Sequence, residues 1–497
     1  MDNSLANISY LLADLWDTST RDELPPPEGE ELASIGPADN EEPFAKASWI
    51  ANLVLRLHHT RVKGTLGEET TPPVPEILFD WMHLVHDPDP DQLAKCLRYK
   101  PSPACHPLFW QTVQHSLLRG NVNGASELLR NAGWEHVRKS GRFGESSYVG
   151  QALENVRRFS EAACDILDHC PAAEGDWDIY NSSWTLFRIQ AKGSLDRMTL
   201  FAEGEAQAAR ESASGFRLMS DMARKASSQI PWDIYESLQI VYDIVLGRPE
   251  AILETAQDWC EAAVALNGWW DDETSRHKSL RLSQSHSLRA SSRFQSSGDY
   301  FERLCKAFHL AIKTDMSPNT LNAVEVALAC VFEGNIEAVI GFLRMWSLPL
   351  ACSVAEIASL GGWMPETEAP AKFPTDTLDA EDLVLLGISE PTADETEGMK
   401  DASLVMYARE LAGIDRLSPQ KDGWEMAIQV LGRMDLPEKS EDTVGELLRD
   451  LLATLDEHSA STVDKIWEIL NDLGMISFAE ETAQVCFAIL RLQILGN

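Results

Sequence analysis

Basic residues are scarce in this chain. Against 78 Asp and Glu stand 42 Lys and Arg in 497 residues, a formal charge of −36. So negative a surface repels phosphates and anionic lipid headgroups, which argues against direct nucleic-acid or membrane-surface binding. Cysteine is sparse and unpaired in pattern. The nine (Cys96, Cys105, Cys164, Cys170, Cys260, Cys305, Cys330, Cys352 and Cys486) include no CxxC pair, which fits a reducing compartment better than a disulfide framework. No run of 18 apolar residues occurs, and the opening MDNSLANISYLLADLWD has acidic flanks and a short apolar run, unlike a signal peptide. A soluble cytosolic or nuclear protein is expected. GxxxxGK[ST], GxGxxG after a strand, GxSxG and HExxH are all absent, so phosphate cradles, nucleophile elbows and zincin helices have no support.

Period-2 alternation is almost absent too, whereas apolar residues recur at spacings of three and four from end to end. That pattern predicts a nearly all-α chain. Breaks are expected at Leu24 to Pro43, Glu68 to Pro75, Tyr99 to Pro107 and Met364 to Asp382, where Pro, Gly and acidic residues cluster. The last is the best candidate boundary. The expected organisation is an acidic, partly disordered segment 1–43, a helical body 44–363, an acidic linker 364–400 and a C-terminal helical tail 401–497.

One local pattern repeats at unequal intervals: an apolar helix, a glycine, then a second helix. It appears at Gly120, Gly247, Gly334 and Gly474. Each glycine can adopt the left-handed conformation that ends one helix and lets the next fold back. Stacked hairpins of this kind form an irregular α-solenoid; an irregular helical bundle is the plainer alternative. The stretch PWDIYESLQIVYDIVLG (Pro231 to Gly247) shows the logic. Ile234, Tyr235, Leu238, Val241, Tyr242 and Val245 fill one side of a helical wheel, with Asp233, Glu236, Ser237, Gln239 and Asp243 on the minority arc. Fifteen Trp, mostly at helical spacing, suit a stiff core.

Candidate chemistry is thin. His83 and His86 in WMHLVHD lie three apart with Asp87 alongside, but two histidines alone do not hold zinc. His58 and His59 point to different faces. Cys164 and Cys170 read as buried thiols. Asp271, Asp272 and Glu273 are the densest acids near aromatics, the expected background in so acidic a chain. The basic, serine-rich stretch from Ser275 to Phe294 reads as a solvated connection, or as a segment whose charge phosphorylation would reverse. No catalytic, cofactor-binding or metal-ligating residue is assigned, and no cofactor is expected.

Three segments carry a resemblance: Trp177 to Glu205, Ile230 to Asp271 with its PW, aromatic helix ending in LG, AQDW and terminal WW, and Phe109 to Trp134. Together they resemble the fungal 85-kDa nucleoporin family of the nuclear pore Y-shaped complex, over about Phe44 to Gln484. The resemblance implies an ancestral coatomer element: an α-solenoid folded back into trunk and crown, then a tail. It implies a structural, non-enzymatic role at the nuclear pore, supporting pore assembly, protein import and RNA export, with other Y-complex nucleoporins as partners and the membrane met only through the pore coat. Strands that complete the open β-propeller of a Sec-thirteen-homologue partner would precede Met1, and further tail helices would follow Asn497. The chain is therefore expected to be a fragment or an incomplete gene model, and the propeller contact is not assigned to it. A vesicle-coat or transport-adaptor solenoid and an all-helical enzyme with an acidic pocket are the competing readings.

Overall fold

The computed structural model describes residues 2–21, 35–38, 40–59, 62–63, 69–70, 72–86, 89–141, 144–203, 228–271, 292–364, 398–419, 421–454, 460–473, 480 and 482–484. These residues are nearly all helical, as the spacing predicts. They divide into two compact units, Ala6–Asn335 and Met1–Leu5 with Ile336–Asn497.

The larger unit contains most of α1 (Asp2–Arg21), then α2 (Pro43–His59), α3 (Val74–Val85), α4 (Gln92–Leu97), α5 (Phe109–Leu118), α6 (Val122–Arg130), α7 (Gln151–Asp168) and α8 (Ser182–Glu203). It continues through α9 (Trp232–Val245), α10 (Pro249–Thr255), α11 (Trp259–Trp269), α12 (Ser292–Ile312) and α13 (Ala323–Glu333). The first 43 residues, read as acidic and partly disordered, thus include a 20-residue helix that buries Leu5, Ala6, Ala13 and Trp16. Two short antiparallel hairpins, Val62–Lys63 with Glu69–Thr70 and Arg138–Gly141 with Gly144–Ser147, interrupt the helices. Their strands lack apolar alternation, so no period-2 signal announces them.

Three of the four glycine hinges fall on described residues, and all three behave alike. Gly120, Gly247 and Gly334 have φ of 77°, 73° and 76°. In each case the residue after the glycine donates its N–H five residues back: Asn121 to Ser116, Arg248 to Asp243 and Asn335 to Cys330. This is the Schellman closure, which satisfies carbonyls a helix end would otherwise leave open. After Gly120 and Gly247 the next helix folds back, α6 onto α5 and α10 onto α9. Gly334 ends α13 at the division between the units, and Gly474 lies outside the described residues.

Helix α9 buries the face its wheel predicts: Ile234, Tyr235, Leu238, Val241, Tyr242, Ile244 and Val245, with Pro231 as its N-cap. It packs on α5, α7, α8 and α10. Its tyrosines keep their hydroxyls paired, Tyr242 with Ser194 at 2.9 Å and Tyr235 with Glu203 at 2.8 Å. Each aliphatic side chain buried here is worth roughly 1.5–3 kcal/mol. Glycine also sets how closely helices approach. A Cβ on Gly120 would sit 2.8 Å from the Phe79 ring and one on Gly268 would sit 2.5 Å from it, so Phe79 wedges between α5 and α11 only because both positions lack a side chain.

The smaller unit comprises α14 (Ile336–Trp346), α15 (Leu348–Gly361), α16 (Met399–Ala412), α17 (Gly423–Leu431), α18 (Pro437–Thr454) and α19 (Ala460–Leu473). Leu404, Ala408, Leu411, Trp424, Leu431, Leu448, Ile466 and Leu470 form its core. A Cβ on Gly423 would lie 2.1 Å from the Leu411 carbonyl oxygen, so α17 starts pressed against the end of α16. The linker expected at 364–400 lies largely outside the described residues. Among the described residues no helix is long and apolar enough to cross a membrane.

Two hinge glycines offer a controlled comparison. At Gly334 an added Cβ would meet nothing within 4 Å, whereas at Gly247 it would lie 2.0 Å from the Trp269 carbonyl oxygen. Gly334→Ala is expected to cost only the left-handed penalty of about 1–2 kcal/mol, and Gly247→Ala clearly more. Chemical denaturation of both variants checks this, and equal losses would count against the close approach at Gly247.

Candidate functional site

Among the described residues, buried hydrogen bonds and ion pairs gather around α11, whose residues Trp259 to Trp269 are all buried. A helix hydrophobic on every side has no wet face, so its unsatisfied end groups must find partners inside the protein. They do so at both ends. At the start, Asp258 is the N-cap: one carboxylate oxygen accepts the Glu261 N–H at 2.8 Å and the other lies 3.0 Å from Nε2 of His86. His86 is the C-cap of α3, buried, with its own N–H bonded to the Met82 carbonyl. Glu261, fully buried, accepts from Nε of Arg119 at 2.8 Å and from the Gln257 backbone N–H at 2.7 Å, and lies 3.2 Å from Nδ1 of His115. Trp259 donates its indole N–H to Glu325 at 3.2 Å, and Glu325 also accepts the Asn319 N–H.

The far end is closed by two arginines. Arg188 donates to the Trp269 carbonyl at 2.8 Å and to Asp271 at 2.7 Å. Arg303 reaches the carbonyls of Asn267 at 2.6 Å, Leu266 at 3.2 Å and Trp270 at 2.5 Å. Carboxylates at the N-terminus and guanidinium groups at the C-terminus both complement the helix macrodipole. Around this end stand Trp177, Trp184 and Trp269, with Trp177 and Trp269 centroids 5.2 Å apart edge to face. The Trp269 indole N–H donates to the Leu117 carbonyl at 2.8 Å. Helices α3, α5, α8, α12 and α13 thus all bond to α11 or its caps.

Electrostatics follow from this pairing. Burial pushes the Glu261 carboxyl up, but His115 and Arg119 outweigh it and hold the group below its ordinary 4.5. Asp258 is likewise raised by burial yet held low by His86 and by the N–H groups of α11. Burial pushes the Cys260 thiol well up, with Asp258, Glu261 and Glu325 adding to it.

The residues singled out in the sequence mostly scatter. His83 is exposed while His86 turns inward, so the two do not converge. His58 stacks on Phe301 with centroids 4.5 Å apart, and burial together with His59 lowers it to about 3. Burial pushes Cys164 to about 11 and Cys170 to about 12, so both stay protonated thiols at neutral pH. Asp271 pairs with Arg188; Asp272, Glu273 and residues 275–291 lie outside the described residues. Trp184 and Trp269 are fully buried and Trp259 is buried; Trp467 is 40 % exposed. What sequence reading overlooked is the Asp258-Trp259-Cys260-Glu261 run, which has the spacing of a capping box and marks the start of α11 directly.

The Nup85 Nucleoporin family model matches residues 30–486. The chain belongs to the Nup85 nucleoporin family. It is also 43 % identical to Nucleoporin NUP85 of Chaetomium thermophilum over a 524-residue alignment that covers 97 % of this chain and 44 % of that relative. The chain therefore spans less than half the length of that protein. The family resemblance read from the sequence is borne out, and the AQDW segment that carried much of it is the N-terminal cap of α11. In this family member that stretch is occupied by helix capping and ion pairing.

Two pH-linked outcomes are expected. Glu261 has a folded pKa below its unfolded one, so its contribution is fully present above about pH 4.5 and is lost as pH falls through the folded value. Glu261→Gln should therefore lower stability near neutrality and make the acid limb shallower; Glu261→Ala, which breaks a buried pair from one side, should cost about 3–5 kcal/mol. Denaturation midpoints measured from pH 3 to 8 (a range of about 5 units around the carboxylate values) read both. Glu76 goes the other way: burial, then Asp80 and Asp176, push it up to about 7. Its contribution is present below its unfolded value and lost as pH rises through about 7. Glu76→Gln should raise the melting temperature in mildly alkaline buffer, by an amount that shrinks as pH falls from about 7 and vanishes below 4.5.

Proposed function

We propose that this chain is a structural scaffold component of the nuclear pore complex, working within its Y-shaped subcomplex at the nuclear envelope and so supporting pore assembly, protein import and RNA export. The observation that carries the reading is Nup85 family membership across residues 30–486. The physical character of the core supports it. Its buried charged groups face one another across helices, which lends stiffness to the packing. A scaffold transmits load through parts that must not slide, and the indole-rich, doubly capped α11 supplies such a part.

The same pairing speaks for a non-enzymatic role. Glu261, Asp258 and Glu325 are each engaged in the resting structure by Arg119, His86, Trp259 or backbone N–H groups. With a net charge of −36, direct contact with nucleic acid is unfavourable, and the partners are other Y-complex nucleoporins. Contact with the membrane is indirect, through the assembled coat.

Affinity purification of the tagged chain from fungal extract, together with imaging of a fluorescent fusion, tests the proposal. Recovery of other Y-complex nucleoporins in stoichiometric amounts and a nuclear-rim signal are expected. A well-folded tagged chain that reproducibly recovers none of them, or that shuttles with transport cargo, would contradict it.

A further inference from the structure

We propose that His86, Asp258 and Cys260 form a binding site for one divalent transition-metal ion of the zinc class. Nε2 of His86, a carboxylate oxygen of Asp258 and Sγ of Cys260 all lie within 4.8 Å of one another. The His86 to Asp258 separation is 3.0 Å. A tetrahedral zinc ion holds N, O and S ligands at about 2.0–2.3 Å, which puts the ligand atoms roughly 3.3–3.8 Å apart. His86 and Asp258 must move slightly apart, and a Cys260 separation of up to 4.8 Å must close, to reach that range.

The chemistry of the set suits a buried cation. One aspartate and one thiolate balance a 2+ ion, and the imidazole binds neutral, so the loaded site carries no net charge into the interior. Binding replaces the S–H bond of Cys260 with a metal–sulfur bond and the 3.0 Å hydrogen bond between His86 Nε2 and Asp258 with two metal–ligand bonds; the thiol proton leaves to solvent, and the neutral imidazole carries its one proton on Nδ1. His86 and Cys260 are buried while the Asp258 side chain is 27 % exposed. That opening gives the ion an entry and water the fourth position. The second Asp258 oxygen still accepts the Glu261 N–H, so capping and ligation coexist and the cap orients the ligand. Asp258 and Cys260 sit on the rigid start of α11 and His86 on the end of α3, so the ion would cross-link two packed helices.

The sequence hid this set because its members are far apart. Asp258 follows His86 by 172 positions, while the nearer histidine, His83, is exposed and takes no part.

The test uses the purified full-length chain, stripped by chelation and titrated with zinc against a chromophoric competitor, then with cobalt(II) for its spectrum. Wild type and His83→Ala are expected to take up one equivalent. His86→Ala, Asp258→Asn and Cys260→Ser should each weaken binding by more than the roughly 10- to 100-fold typical of losing an outer-shell partner. Cobalt should give a thiolate charge-transfer band that Cys260→Ser abolishes. Asn is as good an N-cap as Asp, so Asp258→Asn is expected to fold and to lose the metal, with a metal-free melting temperature lowered by the lost charge pairing with His86; should Cys260→Ser fail to fold, this variant and the wild-type cobalt spectrum decide. Absence of stoichiometric zinc, a cobalt complex without the thiolate band, or affinity unchanged in Asp258→Asn would overturn the proposal.

Discussion

Helix α11 is buried on every side, and the larger unit is organised by what that burial demands. A helix leaves four N–H groups at its start and four carbonyls at its end without partners in itself. Where water cannot reach, each such group left open costs about 1–3 kcal/mol. The surrounding helices are consequently obliged to present donors and acceptors at two fixed places. Asp258 and Glu261 serve the start; Arg188 and Arg303 serve the end.

Those four charged groups cannot stand alone in the interior either. Glu261 is balanced by Arg119, and Arg188 by Asp271. The requirement passes outward, from α11 to its caps and from the caps to α5 and α8. Aromatic packing acts on the same axis. Phe79 and Trp177, with ring centroids 4.3 Å apart, occupy the gap that Gly268 leaves on α11, and Trp269 anchors its indole to the end of α5. Substitution in this region disturbs hydrogen bonding and packing together, so effects of neighbouring changes there will not add.

Much of the architecture was legible in the sequence, for local reasons. The all-helical class follows from apolar spacing, and the hinges at Gly120, Gly247 and Gly334 follow from a conformation only glycine adopts cheaply. The buried face of α9 could be read off its wheel residue by residue. What escaped was non-local. His86 meets Asp258 and Arg119 meets Glu261 across more than a hundred positions, and no short motif joins them. The capping-box spacing of Asp258 and Glu261 was visible but was read only as part of a family signature. The hairpins at 62–70 and 138–147 are short and polar, below what alternation can signal.

A scaffold role asks for stiffness in the places where helices cross, and α11 is where that stiffness should be greatest. Native-state hydrogen exchange measures it directly. The amide protons of residues Ala262 to Trp269 are expected to exchange only through global unfolding of the larger unit, with the unit's full unfolding free energy. Exchange of those amides by a local opening, at a free energy no higher than that of the short helix α4 or the 138–147 hairpin, would contradict the central place given to α11.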